Sequence, residues 1–352
     1  MHGRRGMGRA VVGIAISVIA LLLVFRTVDV AARWQIIKGA QPQWIVLMVA
    51  FIIFDVLLRA LRWRVLLAPI AKVPYLTTLS SLLVGYLANN ILPARLGEVI
   101  RSHDLGTRTG LSRTMILGTI VVERVVDTVV VVAIASVAIL VLSVRGIVAS
   151  AVLVGLAVTA LLVVAIGLGI AAHRLPGAER ASAFLGRWPR IRLMLARLRD
   201  GLSVAKEPRT MGAAVVLSVI TWSCTVLAFA AAAQAVGVQP TIGQAALLAA
   251  GVNLATAIPS APGYVGTFEL AAVTIAASVG IGSEDALALA VLVHMTALLV
   301  TSIGGALAFA QGQRDAKRRQ AAAPVGAGES AADEPPGDST GLDTSPMTTE
   351  AM

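Results

Sequence analysis

The chain contains little charge, few aromatic residues and almost no cysteine. Of its 352 residues, 14% are charged and 4% are aromatic, whereas 57% are hydrophobic. Soluble globular domains carry about 25% charged residues, so this composition excludes that class and predicts an all-α protein that crosses a membrane several times. The single cysteine, Cys224, excludes an internal disulfide and a cysteine-based metal site.

Sequence motifs for catalysis are also missing. There is no glycine-rich phosphate loop with a lysine, no Gly-x-Ser-x-Gly nucleophile turn and no His/Cys metal cluster. We therefore expect no enzyme activity, no catalytic residue, no metal and no cofactor. The net charge of +10 does not indicate a nucleic-acid partner. The basic residues are placed in loops on one side of the membrane, where anionic inner-leaflet lipids are the expected partner.

Apolar runs dominate what is present. Six are long enough to span a membrane, at about residues 10–25, 44–67, 114–143, 147–171, 210–236 and 286–310. Two further apolar segments, about 75–93 and 242–282, are interrupted by Pro and Gly. We predict that these two segments form re-entrant or broken helical hairpins, which would bring the number of spans to about eight if each were counted as one.

The arginines and lysines predict the orientation of the spans. With the N-terminus inside, and with the three arginines at the end of the span 44–67 counted with the inner side, 24 of them are inner and four are outer, as the positive-inside rule requires. This distribution predicts a multi-pass protein of the cell membrane with both termini cytoplasmic. The two interrupted segments then open from opposite sides, so the units that contain them are predicted to be inverted repeats.

One membrane domain is predicted between two polar ends. The parts in chain order are a basic cytoplasmic N-terminus (1–9), the membrane domain (10–312, with halves of about 10–171 and 210–312 joined by a basic cytoplasmic loop, 172–209) and a disordered cytoplasmic tail (313–352). The loop has leucines at helical spacing among arginines, so it contains a short amphipathic helix at the inner surface or serves as a plain linker. The abundance of Arg, Ala and Val is typical of a bacterial protein.

Each interrupted segment runs from asparagine through proline and glycine to glutamate. The first reads Asn89-Asn90-Ile-Leu-Pro93-Ala-Arg95-Leu-Gly97-Glu98, and the second has Asn253 and then Pro259-Ser-Ala-Pro262-Gly263-Tyr-Val-Gly266-Thr-Phe-Glu269. Backbone leaves helical form at membrane depth only where protein or a water-filled cavity satisfies its polar groups. The two breaks are therefore predicted to face each other, with the substrate passing between them.

Two spans carry charges within apolar sequence. Asp55, Arg59 and Arg62 share one face of the first, and Glu123, Arg124 and Asp127 share one side of the second. Each charge near the bilayer centre costs about 2.5–3.5 kcal/mol on insertion scales, so these side chains must face protein or a wet cavity. Two interpretations stay open: an ion-pair network that locks the spans together, and a polar pathway for a charged group.

The candidate substrate-binding residues come from the breaks and these charges. They are Asn89, Asn90, Pro93, Arg95, Gly97, Glu98, Arg101, Arg59, Glu123, Arg124, Asp127, Asn253, Pro259, Pro262, Gly263, Gly266 and Glu269. A short helix from Pro93 to Ser102 would place its positive end beside Arg95 and Arg59 as a seat for phosphate. Glu98 is interpreted either as a clamp for Arg95 or Arg101, or as a group that handles substrate or protons.

The second break is predicted to begin a helix at Phe268. Thr267 would cap it, and Glu269 would lie in its first turn, where a carboxylate is favourable. A direct role of Glu269 in substrate handling is the alternative. His294 lies in an apolar span, and we interpret it as a packing residue, with a proton relay as the alternative.

Three motifs in order make the sequence recognisable. They are the first break through Arg101, the run Val122-Glu123-Arg124-Val-Val-Asp127, and the second break from Pro259 to Glu269. Together they resemble the signatures of the flippase-like domain family, which comprises the transmembrane region of lysylphosphatidylglycerol synthases and its stand-alone relatives. The resemblance covers roughly residues 10–312. It implies movement of a lipid, or of a lipid-linked headgroup, between leaflets.

The resemblance leaves the substrate open. Relatives in this family are linked to aminoacyl phospholipids or to polyprenyl-phosphate sugars. We expect no soluble enzyme domain in this sequence, which would be a departure from both groups. The first interpretation is a flippase for a phospholipid, an aminoacyl-phospholipid or a polyprenyl-phosphate sugar. The alternatives are a membrane partner that presents lipid to a separate glycosyl- or aminoacyltransferase without transporting it, and a secondary transporter of a small polar solute.

Overall fold

The computed structural model describes residues 39–92, 96–171, 189–256 and 261–321. Ten α-helices form in these ranges. In chain order they are α1 (Pro42–Leu67), α2 (Tyr75–Ile91), α3 (Gly97–Thr109), α4 (Arg113–Leu142), α5 (Ile147–Ala171), α6 (Pro189–Leu202), α7 (Pro208–Ala235), α8 (Ile242–Ala255), α9 (Thr267–Ser278) and α10 (Ser283–Ala321). Short 3₁₀ turns, Ser203–Lys206 and Pro262–Tyr264, precede α7 and α9.

Five described helices are long and apolar enough to cross a membrane: α1, α4, α5, α7 and α10. They confirm five of the six predicted spans, and the sixth, 10–25, lies outside the described residues. Much of their apolar surface faces outward; Leu140 of α4, for example, is 77% exposed. Such surface is stable in lipid and not in water, so the fold is that of a polytopic all-α membrane protein.

The chain divides into two compact units, Met1–Phe309 and Ala310–Met352. Of the second, the structure describes only the end of α10, which continues to Ala321, past the predicted end of the membrane domain at residue 312. The largest buried apolar cluster of the first unit contains Met48 of α1, Phe229 of α7 and Leu247 of α8. Many of its other members are alanines, and such small side chains let helices approach closely in a membrane.

Helix α6 confirms the helix predicted within the basic loop, and it packs directly on α4. A Cβ atom at Gly201 of α6 would lie 2.1 Å from the backbone oxygen of Met115, and one at Gly118 of α4 would lie 2.6 Å from that of Leu198. Backbone therefore touches backbone at this crossing, and each helix needs a residue without a side chain there.

Gly201→Ala is expected to destabilise the protein by about 1–3 kcal/mol, the usual cost of forcing a methyl group into a filled space. The thermal unfolding midpoint of the purified protein measures this loss. Gly212→Ala is the matched control, because a Cβ atom at Gly212 of α7 would meet nothing within 4 Å. A Gly201→Ala variant that melts no lower than the control would contradict the close approach.

The helices fall into two series with the same pattern. In α1 to α4 the lengths are 26, 17, 13 and 30 residues, and in α7 to α10 they are 28, 14, 12 and 39. Each series thus has a long helix, two short helices separated by a break, and a second long helix. The breaks are the two that the sequence singles out.

The first helices of the two series lie side by side in opposite directions. The amide of Gln41, just before α1, donates to the carbonyl of Ala235 at the end of α7, 2.9 Å away. Further along, Thr225 donates to Asp55 over 3.2 Å, and Arg62 donates to Ser218 over 2.8 Å. Residue numbers rise along α1 as they fall along α7, so these helices are antiparallel.

Two further contacts between the series are reciprocal. Asn90 of α2 donates to Thr301 and Ser302 of α10, each over 2.9 Å, and a Cβ atom at Gly305 would lie 2.6 Å from the backbone oxygen of Leu83. Thus α2 of the first series packs on the last helix of the second. In the same way α8 packs on α4. There, a Cβ atom at Gly243 would lie 3.4 Å from the side chain of Leu142, and Ala250 shares a buried cluster with Val132.

A two-fold axis in the membrane plane would interchange the two series and map each of these contacts onto its counterpart. First helix meets first helix antiparallel, and the short helix before each break meets the last helix of the other series. The two series are therefore arranged as inverted repeats, an organisation that the sequence predicts from the charges of its loops.

Candidate functional site

Arg62 stands at the centre of a buried ion-pair network. Its Nη1 donates to Asp127 Oδ1 and its Nη2 to Asp127 Oδ2, the second bond 2.8 Å long. Nη2 also donates to Glu123 Oε1, 2.9 Å away. Since Arg62 and Glu123 are both 0% exposed, neither charge has water to solvate it, and each depends on its partners. The network ties α1 to α4, which is one of the two roles that the sequence predicts for these charges.

Two more arginines complete the surroundings of Glu123. Arg101 of α3 donates to Glu123 Oε2 over 3.0 Å, and Arg124 donates to Glu123 Oε1 over 2.8 Å. The guanidinium carbon of Arg101 lies 4.7 Å from the centre of the Trp63 ring, within the range of a cation–π contact. The carboxylate of Glu123 is thus surrounded by three guanidinium groups.

Asp55 and Arg59 form a second pair on α1. Arg59 donates to Asp55 through Nε at 2.7 Å and through Nη2 at 3.2 Å. The pair is joined to the network because Arg59 Nη1 lies 3.8 Å from Asp127 Oδ2. Trp222 of α7 stabilises both parts: its Nε1 donates to Asp127 over 3.3 Å, and its ring centre lies 5.4 Å from the Arg59 guanidinium carbon.

The network differs from a simple structural lock in one respect. Arg124 keeps 41% of its side chain exposed, whereas Arg62 is fully buried and Arg101 is 4% exposed. Arg124 therefore holds Glu123 through Nη2, and its Nε is buried, but part of its side chain remains accessible outside the network. An exposed guanidinium in fixed geometry binds phosphate or carboxylate well.

The first break is held by its two asparagines. Asn89 Oδ1 accepts a hydrogen bond of 2.7 Å from the amide of Gly97, the first residue of α3, and Asn90 bonds α10. A Cβ atom at Gly97 would lie 2.1 Å from the backbone oxygen of Gly85, so only glycine fits at this position. Asn89 thus does for α3 what a capping residue does for other helices.

The helix after the first break differs from the one predicted. It begins at Gly97 and runs to Thr109, whereas the sequence predicts a helix from Pro93 to Ser102. Arg101 bonds Glu123 and not Glu98. The Oε2 atom of Glu98 is buried and has no partner among the described residues. Pro93 and Arg95 lie outside the described residues, so the predicted seat for phosphate stays a prediction.

The second break is a tight turn built on glycines. Gly263 has φ of 67° and Gly266 has φ of 87°, values that residues with a side chain rarely adopt. Pro262 opens the turn, and Pro259 lies outside the described residues. Helix α9 begins at Thr267, not at Phe268 as predicted, and Gly266 is its N-cap residue.

Thr267 does not cap α9, and Glu269 makes a capping hydrogen bond at its start. The carboxylate of Glu269 accepts a 2.7 Å hydrogen bond from the Gly266 amide through Oε2. The hydroxyl of Thr267 donates instead to the carbonyl of Tyr264, 2.9 Å away. Glu269 therefore lies in the first turn of α9, as the sequence predicts, and its side chain satisfies the amide at the start of the helix.

His294 of α10 bonds the same carboxylate. Its Nδ1 lies 2.6 Å from Glu269 Oε1, and its Nε2 lies 2.7 Å from the carbonyl oxygen of Gly263. Phe268 stacks on the imidazole with ring centres 4.2 Å apart. His294 is thus a packing residue, as predicted, and it also has polar partners that spacing in the sequence does not reveal.

The two breaks touch each other, as the sequence predicts. The turn Pro262–Tyr264 packs on the end of α2. A Cβ atom at Gly263 would lie 3.6 Å from the backbone oxygen of Asn90. One carbonyl of the second break is bonded to His294, and one asparagine of the first break is bonded to α10, so both breaks are attached to the same long helix.

A cavity of about 140 Å³ lies between the network and the second break. It is lined by Ile52, Asp55, Arg59, Thr225, Ala228, Phe229, Asn253, Phe268, Val293 and Ala297. Its polar lining consists of the Asp55–Arg59 pair, the hydroxyl of Thr225 and the amide of Asn253, and two aromatic rings complete it. Such a lining suits a small polar group that enters with an apolar neighbour.

The predicted site residues fall into two separate groups. Arg101, Glu123, Arg124, Asp127 and Arg59 form one network, whereas Glu269, Gly263 and Gly266 form a separate group around His294. Asn253 lies between the two, at the cavity, where its amide also donates to the backbone of Ala249.

Several contributors were not predicted as site residues. They are Arg62, Ser218, Trp222, Thr225 and Phe268. The sequence does contain a clue to the role of Arg62, because this residue continues the charged face of Asp55 and Arg59. The α7 residues have none that distinguishes them from ordinary span residues. Among the described residues, no group of three His, Cys, Asp or Glu side chains is placed to hold a metal ion.

Comparison with known proteins gives two matches. A family model described as the lysylphosphatidylglycerol synthase TM region matches residues 10–305. The glycosyltransferase AglD of Haloferax volcanii is 25% identical over 332 residues, which covers 84% of this chain and 53% of AglD. The chain therefore spans about half the length of this relative. No solved structure matches.

Proposed function

Because the chain belongs to the family of the lysylphosphatidylglycerol synthase transmembrane region, we propose that it moves a lipid or a lipid-linked headgroup between membrane leaflets. The observation that carries the proposal is the cavity beside the second break, with the Asp55–Arg59 pair on its wall. Charges and broken helices inside a bilayer are costly, and they mark a polar route where they line a cavity.

The inverted arrangement supports alternating access to this route. With the predicted sidedness, the first break is re-entrant from the inner side and the second from the outer side. A headgroup would pass between them while its acyl or prenyl chains stay in lipid. The arginine-rich inner loops would gather anionic lipid at the entrance, and Arg124 would meet the phosphate at the edge of the network.

A second candidate function is favoured by the match to AglD. That relative is named a glycosyltransferase, and this chain covers only 53% of it. The chain would then be a membrane partner that presents a lipid-linked substrate to a separate glycosyl- or aminoacyltransferase without moving it across the bilayer. In both candidates we assign no catalysis to this chain itself.

Lipid movement in liposomes that contain the purified protein tests the proposal. Fluorescent phosphatidylglycerol, lysyl-phosphatidylglycerol and a short polyprenyl-phosphate sugar are compared, and a bleach of the outer leaflet reports how fast each lipid crosses. We expect one lipid class to cross at least tenfold faster than in protein-free liposomes. Arg108→Gln serves as a control, because Arg108 pairs with Asp104 on one face of α3, outside the network.

If no lipid class moves faster with folded protein present, the transport proposal is wrong. The partner candidate is then tested by cross-linking in native membranes. That candidate requires a glycosyl- or aminoacyltransferase among the products, and it fails if none is captured.

A further inference from the structure

We propose that Glu269 and His294 form a binding site for a single proton, and that this proton holds the second break closed over the cavity. The site deepens the proposed function, and its link to transport rests on that function. Glu269 is 3% exposed and His294 is 4% exposed. Neither belongs to the arginine network, and no arginine bonds either of them among the described residues.

The hydrogen bonds specify where protons must be. His294 Nε2 lies 2.7 Å from the Gly263 carbonyl oxygen, which can only accept, so Nε2 carries a hydrogen. The Gly266 amide donates to Glu269 Oε2. One proton remains to be placed, in the 2.6 Å contact between Nδ1 and Oε1. It lies on the imidazole or on the carboxyl group, and the pair is neutral overall in either case.

Loss of that proton would make the contact repulsive. A nitrogen lone pair would then face a carboxylate oxygen across 2.6 Å, and a net negative charge would stay buried, which is costly without a partner. The pair must then separate. Since His294 also holds the carbonyl of Gly263, separation of the side chains frees the turn that carries the second break.

The position of the pair links it to the cavity. Phe268 and Val293, each adjacent in sequence to a member of the pair, line the cavity together with Asp55 and Arg59. Movement of the turn would change this wall and the contact with Asn90 of the first break. Proton release would therefore open the cavity, and proton binding would close it.

Other titratable groups lie on the surrounding helices, and their effect on a pH response must be distinguished from that of the pair. Asp55 and Arg59 of α1 line the same cavity, the buried thiol of Cys224 lies on α7, and Tyr264 lies in the turn itself. The neighbouring cavity residues of α8 and α7, Asn253 and Phe229, carry no titratable group.

The variant Glu269→Gln tests the role of the shared proton alone. Glutamine keeps both contacts, because its oxygen accepts from the Gly266 amide and its NH₂ group donates to Nδ1, but it has no proton to release. The Glu269–His294 pair, which acts as a latch on the second break, should then stay closed at every pH. The variant leaves Asp55, Arg59, Cys224 and Tyr264 unchanged, so any pH response that it abolishes comes from the pair.

Histidine NMR tests the proton site without reference to transport. The chain has four histidines, and replacement of His2, His103 and His173 by glutamine leaves His294 as the only ¹⁵N-labelled imidazole. We expect one resonance with Nε2 protonated, whose position changes with pH in the wild type and not in Glu269→Gln. A resonance that titrates identically in both proteins overturns the proton site.

Cysteine labelling tests the opening. In a Cys224→Ala background, Ala297→Cys places a thiol on the cavity wall. The labelling rate relative to the same protein with Glu269→Gln should rise by up to about tenfold per pH unit as the shared proton is lost. The ratio cancels the titration of the thiol. A ratio that does not change with pH shows that the pair is not a latch and overturns the proposal.

Lipid movement measured across the same pH range tests the link to transport. Movement should increase with pH in the wild type and stay low in Glu269→Gln. Equal, pH-independent movement in both proteins overturns the coupling. If neither protein moves lipid but the NMR and labelling responses appear, the proton latch stands and the proposed function fails.

Discussion

Arg62→Gln is expected to destabilise the protein by about 3–5 kcal/mol, the usual result of removing one partner from a buried ion pair. Arg62 supplies the hydrogen bonds that join Asp127 and Glu123 to α1, and it bonds Ser218 of α7 as well. Its removal leaves Asp127 with weaker contacts to Arg124 and Arg59, 3.4 and 3.8 Å long. Thermal unfolding of the purified protein measures the loss.

Two further variants make this result specific to the buried charge. Arg108→Gln removes an arginine from an i,i+4 pair that is 21% exposed on both sides, and we expect a cost of only about 0–1 kcal/mol. The double variant Arg62→Gln/Asp127→Asn removes one charge of each sign. It should be more stable than the sum of its single variants by about 0.5–3 kcal/mol. An Arg62→Gln protein that melts with the wild type would refute the central role of Arg62.

Arg124→Gln is expected to have the opposite profile: lipid movement falls at least tenfold, while the unfolding midpoint changes little. Glu123 keeps Arg62 and Arg101 as partners when Arg124 is lost, so the network survives. The lost group is the partly exposed Arg124 guanidinium, which we place in contact with the headgroup phosphate. A tenfold loss corresponds to about 1.4 kcal/mol of transition-state stabilisation.

The liposome assay separates this effect from misfolding. Arg124→Lys keeps the charge but loses the planar group that can form bidentate hydrogen bonds, and it should restore part of the rate. Glu98→Gln is measured beside it, because the Glu98 carboxylate approaches the network from α3 and has a buried oxygen; its rate should also fall. Wild-type rates in both Arg124→Gln and Glu98→Gln would show that the substrate does not follow these charges.

The sequence predicts the architecture well because hydropathy and charge are local properties. An apolar run of span length has few alternatives in a membrane, so five spans, two breaks and the opposite directions of α1 and α7 could be predicted. Helix starts at the breaks were less accurate. The beginning of α3 depends on Asn89 reaching forward to Gly97, and that of α9 on Glu269 reaching back to Gly266. Such side-chain contacts are not visible in hydropathy.

The composition of the site was harder to predict than its location. Glu123, Asp127 and Arg59 could be identified because a charge in an apolar span needs a partner. Which arginine bonds which carboxylate depends on helix packing. Arg62 was therefore not selected, and Arg101, considered with Arg95 as a partner of Glu98, bonds Glu123 instead. Ser218 and Trp222 became part of the network only because α7 lies antiparallel to α1, in a register that brings Ser218 to Arg62 and Trp222 to Asp127.

The antiparallel contact between α1 and α7 has a consequence for synthesis of the protein. Leu67 and Pro208 are separated by 141 positions along the chain, so at about 5–20 residues per second the ribosome makes α7 roughly 7–30 s after α1. During that interval α1 carries Asp55, Arg59 and Arg62 without their α7 partners. Until then α1 depends on its own Asp55–Arg59 pair and on α4, whose Asp127 and Glu123 bond Arg62. The first series therefore pairs its charges before the second series exists, and α7 adds to a network that has already formed.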